Sequence, residues 1–211
     1  MKQILTALFL FSSSSTAQLS LTIHAGMDGP SPSIVNSADS PFLQNSWSNG
    51  ISATLGADYC VAHDISIAPY VAYAYYPWYQ YHRGATIPEA PPVLSAHGDG
   101  SQIYRAVVEG KLLTSRRFAG LNADFYFTTG LGYAIEDFGK ILVVEGFGGG
   151  PTVERNVEYP AKTYWIHTLG VATRADVGSH LSLDISAKYL TDYSQNMYLS
   201  FNVGIAYIVI E

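Results

Sequence analysis

From 197 to 209 every odd position is apolar: Met197, Leu199, Phe201, Val203, Ile205, Tyr207 and Val209. The even positions between them are mostly small or polar, Ser200, Asn202, Gly204 and Ala206 among them. Side chains alternate with period two along a strand, so the stretch predicts one greasy face and one narrow, mostly polar face. It is longer than a usual edge strand and carries no proline or charge to blunt one. Such a strand needs a neighbour on either side and an apolar medium on one face. A sheet closed on itself in a membrane supplies both.

Seven further segments repeat the pattern. The first, 19–27, sets Leu19, Leu21, Ile23, Ala25 and Met27 against Ser20, Thr22, His24 and Gly26. The second covers 47–60 and the third 65–76, where Pro69 removes a ladder donor and predicts a bulge. The fourth, 102–113, puts Arg105, Glu109 and Lys111 on one face and Tyr104, Ala106, Val108 and Leu112 on the other. The fifth, 121–135, alternates most cleanly. The sixth, 163–175, is less regular because His167 falls on its apolar face. The seventh, 181–189, turns Leu181, Leu183 and Ile185 one way and Ser182, Asp184, Ser186 and Lys188 the other.

Between these segments, 28–46, 77–100 and 137–161 are rich in Pro, Ser, Asn or Gly and predict long loops. They alternate with short turns near 62–64, 115–120 and 176–179, and a short connection at 192–196 precedes the last strand. The pattern predicts an all-β chain: an eight-stranded antiparallel up-and-down transmembrane β-barrel with long outside loops and short periplasmic turns.

Composition agrees. Only 13% of residues are charged, against the roughly 25% usual for soluble domains. Aromatics reach 13%, including 16 Tyr, which suits a chain facing both lipid and interface. The segment 1–17 (Lys2, an apolar run, then Ser15 and Ala17) reads as a secretory signal, leaving 18–211 as one barrel domain. A single cysteine, Cys60, excludes an internal disulfide framework. The net charge of −6 argues against a nucleic-acid partner. The soluble alternative is a secreted lipocalin-like barrel, a ligand binder with the two faces reversed.

The run Ala187-Lys188-Tyr189-Leu190-Thr191-Asp192-Tyr193, followed by the strand that ends near Tyr207, resembles the ending of opacity-type barrels. Over 18–211 the chain resembles the small outer-membrane barrels: the OmpA transmembrane domain, OmpX/Ail-like proteins and opacity-type surface antigens. The resemblance implies a monomer in the outer membrane of a Gram-negative bacterium, surrounded by outer-membrane lipid. It also implies insertion by the barrel assembly machinery, which reads the last strand. It further implies a non-enzymatic adhesin or surface-antigen role, with loops that meet a host protein or glycan.

An eight-stranded barrel is just wide enough for side chains to fill. Arg105, Glu109, Lys111, Asp124, Arg174, Asp184 and Lys188, with Asp58 and His24, are expected to form a mixed-charge lumen network, because buried charges must be paired. The alternative use of the same residues is a narrow porin-like channel for small solutes. The aromatic run around Tyr76, Trp78, Tyr79 and Tyr81 is expected to form either an interface belt extending into the loop or an outside contact patch, since Tyr and Trp dominate binding hot spots.

Catalysis by a lipid A-modifying barrel enzyme has two candidates. One is Ser95, His97, Asp99 and Ser101, where Gly98 and Gly100 favour a polar turn instead. The other, His180 and Ser182, falls at the periplasmic turn end of its strand, the wrong leaflet for that substrate, and is rejected. The glycine run 146–150 lacks the Gly-Lys-Ser/Thr of a phosphate loop, and no metal-ligand spacing is present, so no cofactor is expected.

Overall fold

The computed structural model describes residues 18–30, 49–77, 81–82, 93–98, 100–116, 123–137, 139–146, 151–158, 160–192 and 197–210. The expected signal segment, Trp47, Trp78, Tyr79 and Asp99 lie outside these residues. The strands are β1 (Leu19–Pro30), β2 (Gly50–Ala62), β3 (Ile65–Tyr76), β4 (Tyr81–His82), β5 (Val93–Gly98) and β6 (Ser101–Ser115). They continue as β7 (Ala123–Asp137), β8 (Lys140–Gly146), β9 (Thr152–Glu158), β10 (Lys162–Asp176), β11 (Leu181–Asp192) and β12 (Met197–Ile210).

Eight of them close into an antiparallel barrel in the order β1-β12-β11-β10-β7-β6-β3-β2. β12 closes the ring, pairing with β11 on one side and β1 on the other. The closing strand therefore has the two neighbours its length demands, and no barrel edge is left open.

The period-two pattern decides which side is which. Along β6 burial alternates without a break for its first twelve residues. Outward positions carry Leu21, Leu55, Val71, Leu131, Leu169, Phe201 and Val203, all exposed. Inward positions carry Ser20, Thr22, Asp28, Ser52, Asp58, Arg105, Glu109, Lys111, Thr168, Asp184 and Asn202, all buried. A soluble barrel would hold the aliphatic stripes inside; this one is inverted, which excludes the lipocalin arrangement. No helix among the described residues is long and apolar enough to cross a membrane.

Three expectations need correction. The register between β2 and β3 is unchanged across Pro69 (Gly56↔Tyr70, then Tyr59↔Ile67), and the irregularity falls at Cys60/Ala62 instead. Pro69 still pairs in register with Val108 of β6, so the missing donor is absorbed without an inserted residue. β1 runs on to Pro30, past the expected start of the first loop.

The third correction is the largest. The second and third long loops contain a four-stranded sheet, β4-β5-β8-β9. β4 follows β3, β5 leads into β6, β8 follows β7, and β9 leads into β10. The sheet thus repeats the barrel order β3-β6-β7-β10, each of its strands adjacent in sequence to the barrel strand in the same place. Gly98 ends β5, and Gly100 immediately precedes β6. Gly100 (φ 92°) and Gly139 (φ 62°) hold backbone angles that only glycine adopts without strain.

Candidate functional site

The lumen groups into clusters set by the register. Nearest the loop end, Asp28 is fully buried and accepts hydrogen bonds on both carboxylate oxygens. Oδ1 takes Ser200 Oγ (2.6 Å) and Ser52 Oγ (3.1 Å), while Oδ2 takes Tyr76 Oη (3.3 Å) and the Arg105 guanidinium. Arg105 also donates to Tyr76 Oη at 3.1 Å and lies 5.8 Å from the centre of the Tyr198 ring. Beside this cluster, the buried Glu136 accepts from Tyr164 Oη at 3.2 Å.

Midway, Lys188 Nζ donates to Glu109 Oε2 at 2.8 Å, and Tyr70 Oη donates to Oε1 at 3.0 Å. The Lys188 ammonium also sits 4.7 Å from the centre of the Tyr70 ring. Two glycines make room for this pair. A β-carbon on Gly130 would lie 2.6 Å from Glu109 Cγ, and one on Gly170 would lie 2.9 Å from Lys188 Cα. Those inward glycines are where the charged side chains cross the narrow barrel.

Toward the turn end, Lys111 Nζ and Arg174 Nη2 both donate to Asp58 Oδ2, at 2.8 and 2.9 Å. Arg174 also donates to Asp184 Oδ2 at 2.8 Å, and His24 Nε2 stands 3.7 Å from the same oxygen. Asp124 is half-buried, accepts from Tyr126 Oη at 3.2 Å, and is register partner to Arg174.

All the expected lumen residues therefore turn inward, divided among separate clusters. Between the upper two, lined by Arg105, Lys188, Tyr70 and Asn202, lies a cavity of about 20 Å³. That is room for about one water molecule, not for a column of them. An apolar cluster of Ala74, Tyr76, Ile103, Val107, Ala134, Ile166 and Leu190 fills much of the rest of the loop-end half.

Of the expected aromatic patch, only Tyr76 has a described side chain. Tyr76 is 1% exposed and faces the lumen as a member of the Asp28 cluster, so it is removed from the outside surface. Its position explains this: the odd residues of β3 face outward, which turns Tyr76 inward beside Ala74. Tyr81 begins β4, the short outer strand of the loop-end sheet.

Of the first candidate catalytic set, Asp99 lies outside the described residues. Ser95 and His97 belong to β5, whereas Ser101 is buried at the start of β6. Ser182 Oγ donates to Asp176 Oδ1 at 2.7 Å, while the exposed His180 ring lies against Tyr207. Among the described residues no group of three His, Cys, Asp or Glu side chains is placed to hold a metal ion.

The closed ring, apolar exterior and filled lumen define a small eight-stranded transmembrane β-barrel. No protein-family model matches the sequence, and no curated protein matches it. Among solved structures, a major outer membrane protein from Thermus thermophilus aligns over 92% of this chain and 100% of its own, at 10% identity and a TM-score of 0.58. Ail, the attachment invasion locus protein of Yersinia pestis, aligns over 92% of this chain and 99% of its own, at 13% identity and a TM-score of 0.49. Neisserial surface protein A aligns over 92% and 97%, at 13% identity and a TM-score of 0.49. At these identities the likeness concerns the fold alone.

Proposed function

We propose that this chain is a non-enzymatic outer-membrane protein of a Gram-negative bacterium, a non-conducting monomeric anchor that carries a contact surface on its loop side. In this reading the segment 1–17 directs export, the barrel assembly machinery inserts the barrel, and the loop end faces outward. The observation that carries it is the four-stranded sheet built from the long loops, each of its strands adjacent in sequence to a barrel strand. Barrel strands need only about 9–11 residues to cross a bilayer, and a bare anchor has no use for further strands. A hydrogen-bonded sheet offers a partner, such as a host protein or glycan, a pre-ordered face at low entropic cost.

The test is to replace residues 140–158, which hold β8 and β9, with a short Gly-Ser linker. The variant barrel should keep its heat-modifiable migration on a gel, while bacteria expressing it lose attachment to host cells or immobilised glycans. Attachment equal to that of the full chain would refute the contact role of the sheet.

The anchor reading also forecasts a closed lumen. Wild-type protein in a planar bilayer should show little or no steady conductance, because ion pairs, tyrosines and apolar side chains occupy the barrel axis. Stable ion-selective channels, changed in selectivity by Glu109→Ala, would establish the pore instead.

A further inference from the structure

The outer wall of the barrel carries a trench. Across β2, β3, β6 and β7 one outward row reads Ala53–Tyr73–Tyr104–Ile135, and the next reads Leu55–Val71–Ala106–Tyr133. Ala106 stands exposed with Val71 and Tyr133 beside it and Tyr104 and Val108 above and below on its own strand. A methyl group among such side chains leaves a hollow. Two depressions, of about 550 and about 500 Å³, meet there and share Leu55, Val71, Ala106 and Tyr133. Their walls are aromatic pairs: Tyr73 against Tyr104, ring centres 5.3 Å apart, and Tyr133 edge-on to Trp165 at 5.6 Å.

We propose that this trench holds one acyl chain of a loop-side-leaflet lipid as a retained neighbour, not an exchanging one. The trench opens sideways onto the hydrocarbon that the rest of this wall faces, so the occupant at hand is lipid. From Tyr104 to Val108 it runs about 13 Å at about 3.3 Å per residue. That is close to the ~15 Å of hydrocarbon in one leaflet, half of the ~30 Å core. Its upper end is polar, with Tyr104 Oη donating to Gln102 Oε1 at 3.0 Å, which suits the glycerol end of a lipid. A chain lying in the hollow at Ala106 meets more side-chain atoms than one on a convex wall, and dispersion contacts add with number. A second copy is the poorer fit, because an isologous pairing sets concavity against concavity and leaves the trench unfilled.

Native mass spectrometry of the detergent-solubilised full chain, purified with phosphatidylethanolamine, tests the inference. The wild type should retain one lipid, and so should Val203→Phe, an outward substitution on the far side of the barrel. Ala106→Phe, which fills the trench, should lower the lipid-bound fraction at least about tenfold, equivalent to about 1.4 kcal/mol. An unliganded wild type, or equal retention by Ala106→Phe, overturns the inference. A wild-type dimer abolished by Ala106→Phe does so too, and assigns the trench to a second copy.

If Ala106→Phe fails to fold, Trp165 reports directly. With Trp47→Phe and Trp78→Phe it is the only tryptophan of the three in the chain, and it lines the lower depression. Purified with brominated-chain phosphatidylcholine and then moved into vesicles of unlabelled phosphatidylcholine, the protein should keep Trp165 quenched. Recovery of full fluorescence overturns the retained chain.

Discussion

Asp28→Ala should lower the unfolding free energy by about 3–5 kcal/mol, the range for breaking a buried ion pair by removing one partner. The carboxylate is fully buried and is the shared acceptor for Ser52, Tyr76, Arg105 and Ser200, residues from β2, β3, β6 and β12. Its loss strands a guanidinium that is itself 5% exposed, with the Tyr76 hydroxyl and the face of Tyr198 as its remaining described contacts. A large share of the cost is thus the desolvation of Arg105. Pairing Asp28→Leu with Arg105→Met should therefore recover most of the loss, since apolar groups of similar size need no partner. The measurement is urea unfolding in lipid vesicles, followed by tryptophan fluorescence and by the heat-modifiable band. A cost below about 1 kcal/mol for Asp28→Ala, in the range of an exposed ion pair, would mean that water solvates Arg105 and that the lumen is open.

Asp28 was also the most informative residue to miss. It continues the even, inward series of β1 after Thr22, His24 and Gly26, so its direction was readable once the strand was known to reach Pro30. The cluster Asp-Gly-Pro-Ser-Pro-Ser reads as loop chemistry, and that local signal outweighed the alternation. Glu136 is the same case at the loop end of β7, the next inward position after Ala134. Tyr76 had a legible direction too, because β3 had been bounded correctly and its even positions face in.

The partners were not legible at all. Arg105 meets Asp28 across 77 residues of chain and Lys188 meets Glu109 across 79, and such pairs depend on how several neighbouring registers accumulate around the ring. The loop-end sheet was hidden for a different reason. β8 reads Ile141-Leu142-Val143-Val144, apolar on both faces, and the glycines at 146–150 punctuate it as a loop. Its pairing with β5 joins segments far apart in sequence, which no period within either segment announces.

Val203→Arg and Val209→Arg should differ sharply, although both replace an exposed valine on the outward face of one strand. Val203 is 54% exposed near the middle of β12, and Val209 is 49% exposed near its end. If water surrounded the barrel, each change would be an ordinary surface substitution within about 0.5 kcal/mol. In a bilayer the cost follows depth: about 2–4 kcal/mol for arginine near the midplane and about 0–1 kcal/mol near the interface. At position 209 the long side chain can also reach the headgroups while its stem stays in hydrocarbon. Folding each variant from urea into lipid vesicles, with wild type and Val203→Leu as references, separates the cases. Val203→Leu should match wild type, because it keeps an apolar side chain against lipid. Equal, small costs at both positions would show that the apolar belt faces something other than hydrocarbon. A larger cost at 209 than at 203 would move the membrane toward the turn end and shift the belt along the barrel.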